Sequence, residues 1–297
     1  MADEKRKIPP EVLSRIAALK IEAQRAADGL LTGAHASIFQ GASVEFAQHK
    51  EYVPGDDIRY LDWRVLAKSD RYYIKKFDLE KNIRALFFVD ASASMDYRSH
   101  ALSKLDYASR MALGLAYLLL KQADQAGLTV CSGRGVSVVP PSSQISHFDL
   151  LAETLARTPC EGSAALEAWI QGMSDRISGS GMCLFFSDFF FDESVVRAAL
   201  KTLKAFRKDV LLFHVLDPAE LRFPFSLRTK FKDMESAREI IAEPAAVKSG
   251  YLALLTGYIE ALRHACLEYG MDYCLCDTGV PLHIQLMKFL KQRSDRA

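Results

Sequence analysis

The stretch Ile83-Arg84-Ala85-Leu86-Phe87-Phe88-Val89-Asp90-Ala91-Ser92-Ala93-Ser94 decides the fold. A nearly continuous apolar run of strand length predicts a β-strand buried on both faces, because a half-exposed strand would alternate polar and apolar residues. The run ends on an acid followed by two hydroxyls at alternate positions. From Ile83 onward such segments alternate with helical ones. Leu102–Gln122 reads as a long Ala/Leu/Tyr-rich helix, Leu128–Cys131 as a strand, and Val136–Val139 as a second short strand stopped by Pro140-Pro141. Helices are expected around Phe148–Arg157 and Ala164–Ile177, and a strand at Met182–Ser187 ends at Asp188. A helix at Ser194–Phe206, a strand at Val210–Leu216 and a long helix at Ala245–Tyr269 follow; a strand at Asp272–Cys276 and a helix at Leu282–Lys291 close the chain. Buried strands joined by helices make right-handed crossovers, so the expected fold is α/β, an open, doubly wound, mostly parallel sheet.

Two segments stand outside this alternation. Residues 1–80 read as an N-terminal helix (Pro10–Asp28) and a small β-subdomain built from short β-prone pieces between Ser43 and Phe77. There Pro54-Gly55 fits the centre of a type II turn. Residues 81–297 form the α/β domain, with an insertion around 222–243, charged, aromatic and flanked by Pro224 and Pro244, that reads as a hairpin.

Composition narrows the function. Of 297 residues, 49% are apolar and 25% charged, and 38 Lys plus Arg balance 37 Asp plus Glu. A net charge of +1 removes the electrostatic case for a general nucleic-acid binder. The longest apolar stretch, Met111–Leu120, falls well short of the roughly 20 residues a membrane-spanning helix needs. No secretory signal is read at the N-terminus, and the six cysteines read as buried reduced thiols rather than a disulfide framework. Together these point to a cytoplasmic protein.

In an open α/β sheet, ligands bind at the carboxyl ends of the strands where the winding reverses. The polar residues expected there are Asp90, Ser92 and Ser94 after the first strand, Ser163 at the start of the Ala164 helix, and Asp188 after the Met182 strand. Two carboxylates and three hydroxyls are hard oxygen donors. They suit Mg²⁺, with Mn²⁺ or Ca²⁺ as alternatives, and not zinc, which would recruit Cys or His. Two carboxylates only neutralise a divalent ion, so an Asp or Glu from a partner would add attraction at an open coordination position, and the site binds its metal weakly without one. The blander reading makes the three serines backbone caps. A haloacid-dehalogenase-like phosphatase could use Asp90 as nucleophile, but the residue two positions on, where that chemistry needs a general acid, is Ser92. No Gly-x-Ser-x-Gly or Walker lysine motif occurs, and His214, inside an apolar strand, reads as a core histidine.

The Asp-x-Ser-x-Ser sequence, the later Gly162-Ser163 and the strand-terminal Asp188 resemble the metal-ion-dependent adhesion site of von Willebrand factor A domains. Upstream, Glu51-Tyr-Val-Pro-Gly-Asp56-Asp57-Ile-Arg59-Tyr-Leu-Asp62-Trp63-Arg64, with Arg71-Tyr-Tyr-Ile-Lys-Lys, resembles the signature of domain-of-unknown-function family fifty-eight. The resemblance covers roughly Gly33 to Leu216. It implies a von Willebrand A-like, non-enzymatic interaction module, bacterial and often encoded beside a MoxR-type AAA+ ATPase, which would be its partner in a chaperone-like role. Adhesion sites usually carry Thr where Ser163 stands; Ser keeps the hydroxyl but not the methyl that fixes its rotamer. Asp56, Asp57, Arg59, Asp62, Trp63 and Arg64 are either a docking surface for the partner or the lock of the small β-subdomain onto the core. A metal-independent scaffold binding through residues 52–71 is therefore the alternative function.

Overall fold

The computed structural model describes residues 10–31, 44–53, 65, 72–79, 83–163, 181–205, 209–236 and 238–294. Among them the strands are β1 (Val44–Glu51), β2 (Tyr73–Leu79), β3 (Arg84–Asp90), β4 (Gln125–Ser132), β5 (Gly135–Ser142), β6 (Met182–Ser187), β7 (Asp209–Leu216), β8 (Thr229–Lys232), β9 (Glu239–Ala242) and β10 (Asp272–Asp277). The helices are α1 (Pro10–Leu31), α2 (Lys104–Lys121), α3 (His147–Arg157), α4 (Glu193–Ala205), α5 (Pro218–Arg222), α6 (Pro244–Glu268) and α7 (Leu282–Ser294). The Ala164–Ile177 helix expected from the sequence lies outside the described residues, as do Asp56, Asp57, Arg59, Asp62, Trp63 and Arg64.

Six strands form the central sheet in the order β10-β7-β6-β3-β4-β5, while β1 pairs with β2 and β8 with β9 in separate antiparallel ladders. Every neighbouring pair of the central sheet is parallel except β4 with β5. The chain leaves β3 for β4 on one side and later returns to β6 on the other. The winding therefore reverses between β3 and β6, and a crevice opens beyond their carboxyl ends.

The strands read as unbroken apolar runs because both faces of the sheet are covered. On one face Phe87, Val89, Leu184, Phe186 and Phe213 pack under α1, α2, α3 and α7. On the other, Phe88, Phe185 and Leu212 pack under α4 and α6. The Phe186 and Phe213 rings stack with centroids 4.5 Å apart, and Phe88 and Phe185 stack at 4.6 Å. Helix α1 joins this core: Leu19, Ala23, Ala26 and Ala27 are buried in it, and Arg15 bonds Asp106 of α2 at 3.0 Å.

One sequence expectation is corrected. Strand β5 does not stop at Pro140-Pro141 but runs through both to Ser142, with a register irregularity opposite Ala126 and Leu128. It is the edge strand, where a residue without an N–H donor is tolerated. The insertion is a hairpin as expected, β8 with β9. Among the described residues no helix is long and apolar enough to cross a membrane.

Phe186, fully buried between Phe87 and Phe213, carries a prediction. Phe186→Ala should lower the unfolding free energy by about 3–5 kcal/mol, read from the shift in the urea midpoint at constant m-value; a loss below about 1 kcal/mol would show that the aromatic layer is not the centre of the core.

Candidate functional site

The crevice is built from four loops. After β3, the Ala91 N–H donates to Cys131 O at 2.8 Å and the Ala93 N–H to Gly162 O at 2.8 Å, while the Glu161 N–H donates back to Ala91 O at 3.1 Å. These bonds strap the Asp90 loop to the loop carrying Gly162 and Ser163. Gly162 has φ +63°, and a Cβ there would lie 2.6 Å from the Gly133 Cα, so both the backbone conformation and the close approach require glycine. Ser163 follows directly and is exposed at the rim.

Asp90 sits at the floor, 1% exposed. Its Oδ1 accepts from the Ser92 N–H at 2.8 Å and its Oδ2 from the Ser187 hydroxyl at 2.6 Å. Ser92 opens a 3-10 turn, Ala93–Asp96, but its side chain makes no cap bond; its Oγ lies 3.1 Å from Ser94 Oγ. For Ser92 the blander cap reading therefore fails. Asp188, 3% exposed, follows β6 on the opposite lip. The Ser94 hydroxyl and the Phe190 N–H both favour its charged form. Asp90, Ser92, Ser94 and Asp188 thus converge, with the Ser163 loop bonded alongside.

Three more residues complete the site. Lys104, 1% exposed, extends its ammonium from the first turn of α2 to Asp188 Oδ2 and Glu220 Oε1, each at 2.8 Å, and passes over the Phe190 ring at 5.3 Å. Glu220 is oriented by a capping box: Asp217 Oδ1 accepts from the Ala219 N–H at 2.7 Å, and Glu220 Oε2 accepts from the Asp217 N–H at 2.7 Å. Ser187, fully buried, holds Asp90. Lys104 had a sequence signal: a lysine in the first turn of a helix opposes the helix dipole, which points to another task. Glu220 had one too, in the Asp217-Pro218-Ala219-Glu220 capping-box spacing.

The electrostatics are lopsided. Burial would lower the pKa of Lys104, but Asp188 and Glu220 outweigh it and raise the pKa. Burial would raise that of Asp188, and Lys104 reverses this. Among the described residues Asp90 has only neutral donors, and burial and the facing charge of Asp188 raise its pKa to about 6. His214, buried beneath the crevice with Nδ1 2.7 Å from Tyr273 Oη, is pushed down by burial to about 4 and is the core residue the sequence suggested.

The donors fit a hard divalent cation. Adjacent oxygens on an octahedral Mg²⁺ with bonds of about 2.1 Å lie about 3.0 Å apart, the separation of the two serine hydroxyls. Among the described residues no ammonium pairs with Asp90, so its charge is available to such an ion. Among the described residues no group of three or more His, Cys, Asp or Glu forms a ready cage, so such a cation would depend on the hydroxyls. A phosphatase role for Asp90 is disfavoured by the same geometry: both oxygens are engaged and Ser92, not an acid, stands two residues on.

Residues 48–253 match the family described as "Protein of unknown function DUF58". The chain belongs to this family. Uncharacterized proteins Rv1480 of Mycobacterium tuberculosis and Mb1516 of Mycobacterium bovis are each 26% identical over 241 residues, 80% of this chain and 75% of theirs. Among solved structures, an aerotolerance-related membrane protein from Bacteroides fragilis is similar at 15% identity and TM-score 0.48, over 71% of this chain and all of that one. The SpRpn10 VWA domain is similar at 11% identity and TM-score 0.41, over 69% of this chain and 94% of that domain.

Two outcomes follow from the charges. Lys104→Ala leaves the buried Asp188 and the partly buried Glu220 without their shared cation and should cost about 3–5 kcal/mol of stability; adding Glu220→Gln to Lys104→Ala should recover part of it in a double-mutant cycle. Asp90 binds its proton more tightly folded than unfolded, since its pKa is raised from 3.8 to about 6. In EDTA, stability should fall as pH rises from about 4 to about 6 and stay low above that. Asp90→Asn, which keeps an acceptor for the Ser92 N–H, should remove this slope and raise Tm more at pH 7.5 than at pH 4.

Proposed function

We propose that this DUF58 protein is a non-enzymatic interaction module that captures a partner's carboxylate at the β3/β6 crevice, with Asp90, Ser92, Ser94, Ser163 and Asp188 holding Mg²⁺. The observation that carries the reading is the pair of hydroxyls 3.1 Å apart beside a buried carboxylate that has no counter-cation among the described residues, at the point where the winding reverses. Bound there, the ion would supply a Lewis-acid position that an incoming Asp or Glu can complete. The protein's own groups do the rest. The Ser92 N–H and the Ser187 hydroxyl fix the Asp90 carboxylate, and Lys104 holds one oxygen of Asp188, which would leave that acid its other oxygen for the ion or for water bound to it. The resemblance to the MoxR-associated family supports a MoxR-type AAA+ ATPase as the partner, met in the cytoplasm, the pair acting in a chaperone-like way on a third protein. The alternative, metal-free binding through residues 52–71, makes the opposite prediction for metal.

The test has two readouts. Mg²⁺ at ten times its Kd should raise the unfolding free energy of the wild type by about 1.4 kcal/mol and leave Asp90→Ala unmoved. Capture of a MoxR-type ATPase should be lost in EDTA and in Asp90→Ala and kept in Arg59→Ala. Capture that survives EDTA and Asp90→Ala but fails in Arg59→Ala assigns the function to the 52–71 surface instead.

A further inference from the structure

The hairpin between α5 and α6 lies beside the same crevice. Strands β8 and β9 pair from Thr229 with Ala242 to Lys232 with Glu239. Asp233 closes the tip: its N–H donates to Arg238 O at 2.8 Å, and its Oδ1 accepts from the Glu235 N–H at 2.8 Å. Aromatic packing fixes the hairpin beside the site, since Phe231 stacks on Phe223 at 5.6 Å and Phe223 packs on Tyr251 of α6 at 5.0 Å. Between hairpin and site lies a cavity of about 220 Å³, walled by Ser94, Lys104 and Glu220 on the site side and by Phe223, Phe231 and Met234 on the hairpin side. Met234 lines this wall, and Glu235 follows it at the exposed tip. Burial and the charge of Asp188 disfavour its ionised form, while the Ser94 hydroxyl and Lys104 favour it.

We infer that the hairpin tip is an internal ligand: Glu235 takes the seat of the partner's carboxylate against Ser94, Met234 lies at the aromatic cavity beside it, and the partner that displaces them presents an apolar residue followed directly by an acidic one. The inference rests on the docking reading above and names the partner's chemistry. A carboxylate alone would find the crevice on charge; the cavity adds a demand for an apolar neighbour, which the chain itself supplies in Met234-Glu235. Such a ligand must be displaceable. Strands of four residues each make a marginal two-stranded ladder, and the Met234, Glu235 and Ser236 tip is exposed. Occupation in cis lowers the apparent affinity for any outside ligand by the fraction of molecules with the tip released.

The experiment uses the full chain in Mg²⁺ and a fluorescein-labelled peptide carrying residues 232–236 (Lys-Asp-Met-Glu-Ser), read by anisotropy. Glu235→Gln in the chain should tighten binding of the peptide at least tenfold over wild type. Peptides with Gln for the Glu, or Ala for the Met, should bind at least tenfold more weakly to that variant. Equal peptide affinity for wild type and Glu235→Gln overturns the internal ligand; if Asp90→Ala then abolishes both, the docking reading stands without it. Absence of peptide binding to every variant, with no Mg²⁺-dependent rise in stability of the wild type, overturns both.

Discussion

The Lys104 ammonium, 2.8 Å from Asp188 Oδ2 and from Glu220 Oε1, ties together three elements that meet nowhere else in sequence: the start of α2, the end of β6 and the short helix α5. A lysine this deeply buried stays charged only if its partners are in place. An ion pair of this kind adds little over apolar packing of the same volume, yet removing one member is costly. Its consequence is positional: the lip that carries Asp188 and the side that carries the β8–β9 hairpin are held at a fixed spacing across the crevice. The capping box sharpens this, because Glu220 is oriented by the Asp217 N–H before Lys104 reaches it.

That constraint sets the charge of the floor. Lys104 is spent on Asp188 and Glu220, which leaves Asp90, among the described residues, with hydrogen bonds from neutral donors alone. Neutral donors orient a carboxylate but do not cancel its charge where it is buried, as Asp90 is. The raised pKa of Asp90 and the close pair of serine hydroxyls belong to one arrangement: a carboxylate held by neutral donors beside two hard oxygen atoms, with the Lys104 ammonium turned to Asp188 and Glu220.

The sheet could be read from residues because burial on both faces removes ambiguity. Val89 and Phe88 on β3, and Phe185 and Phe186 on β6, must be apolar alike, so the runs stand out and their polar ends mark the crevice. The convergence of Asp90, Ser92, Ser94 and Asp188 followed from strand ends and the switch point. Lys104 and Glu220 were not read because their roles depend on a contact 116 residues apart in the chain, and the local signals, a cation opposing a helix dipole and a capping box, say only that something unusual is near. The strand through Pro140-Pro141 was missed because proline's effect depends on whether a strand lies at an edge, which sequence does not state. Glu235 was hidden differently: its hairpin was expected, but nothing local says which way the tip points.

Specificity in such a site must come from beyond the oxygen donors. Acidic side chains cover most protein surfaces, and a crevice whose floor residues Asp90 and Ser92 are 1% and 2% exposed admits only one that protrudes. Shape therefore does the first selection and the adjoining aromatic cavity the second, since an acid on a polar loop would leave Phe223 and Phe231 without an apolar neighbour. On that reading the hairpin would contribute to both, because Phe231 lines the cavity and the tip lies beside it. A partner that binds must offer more than the tip does, and the difference between two nearly equivalent ligands, one tethered and one free, is easier to regulate than the affinity of either alone.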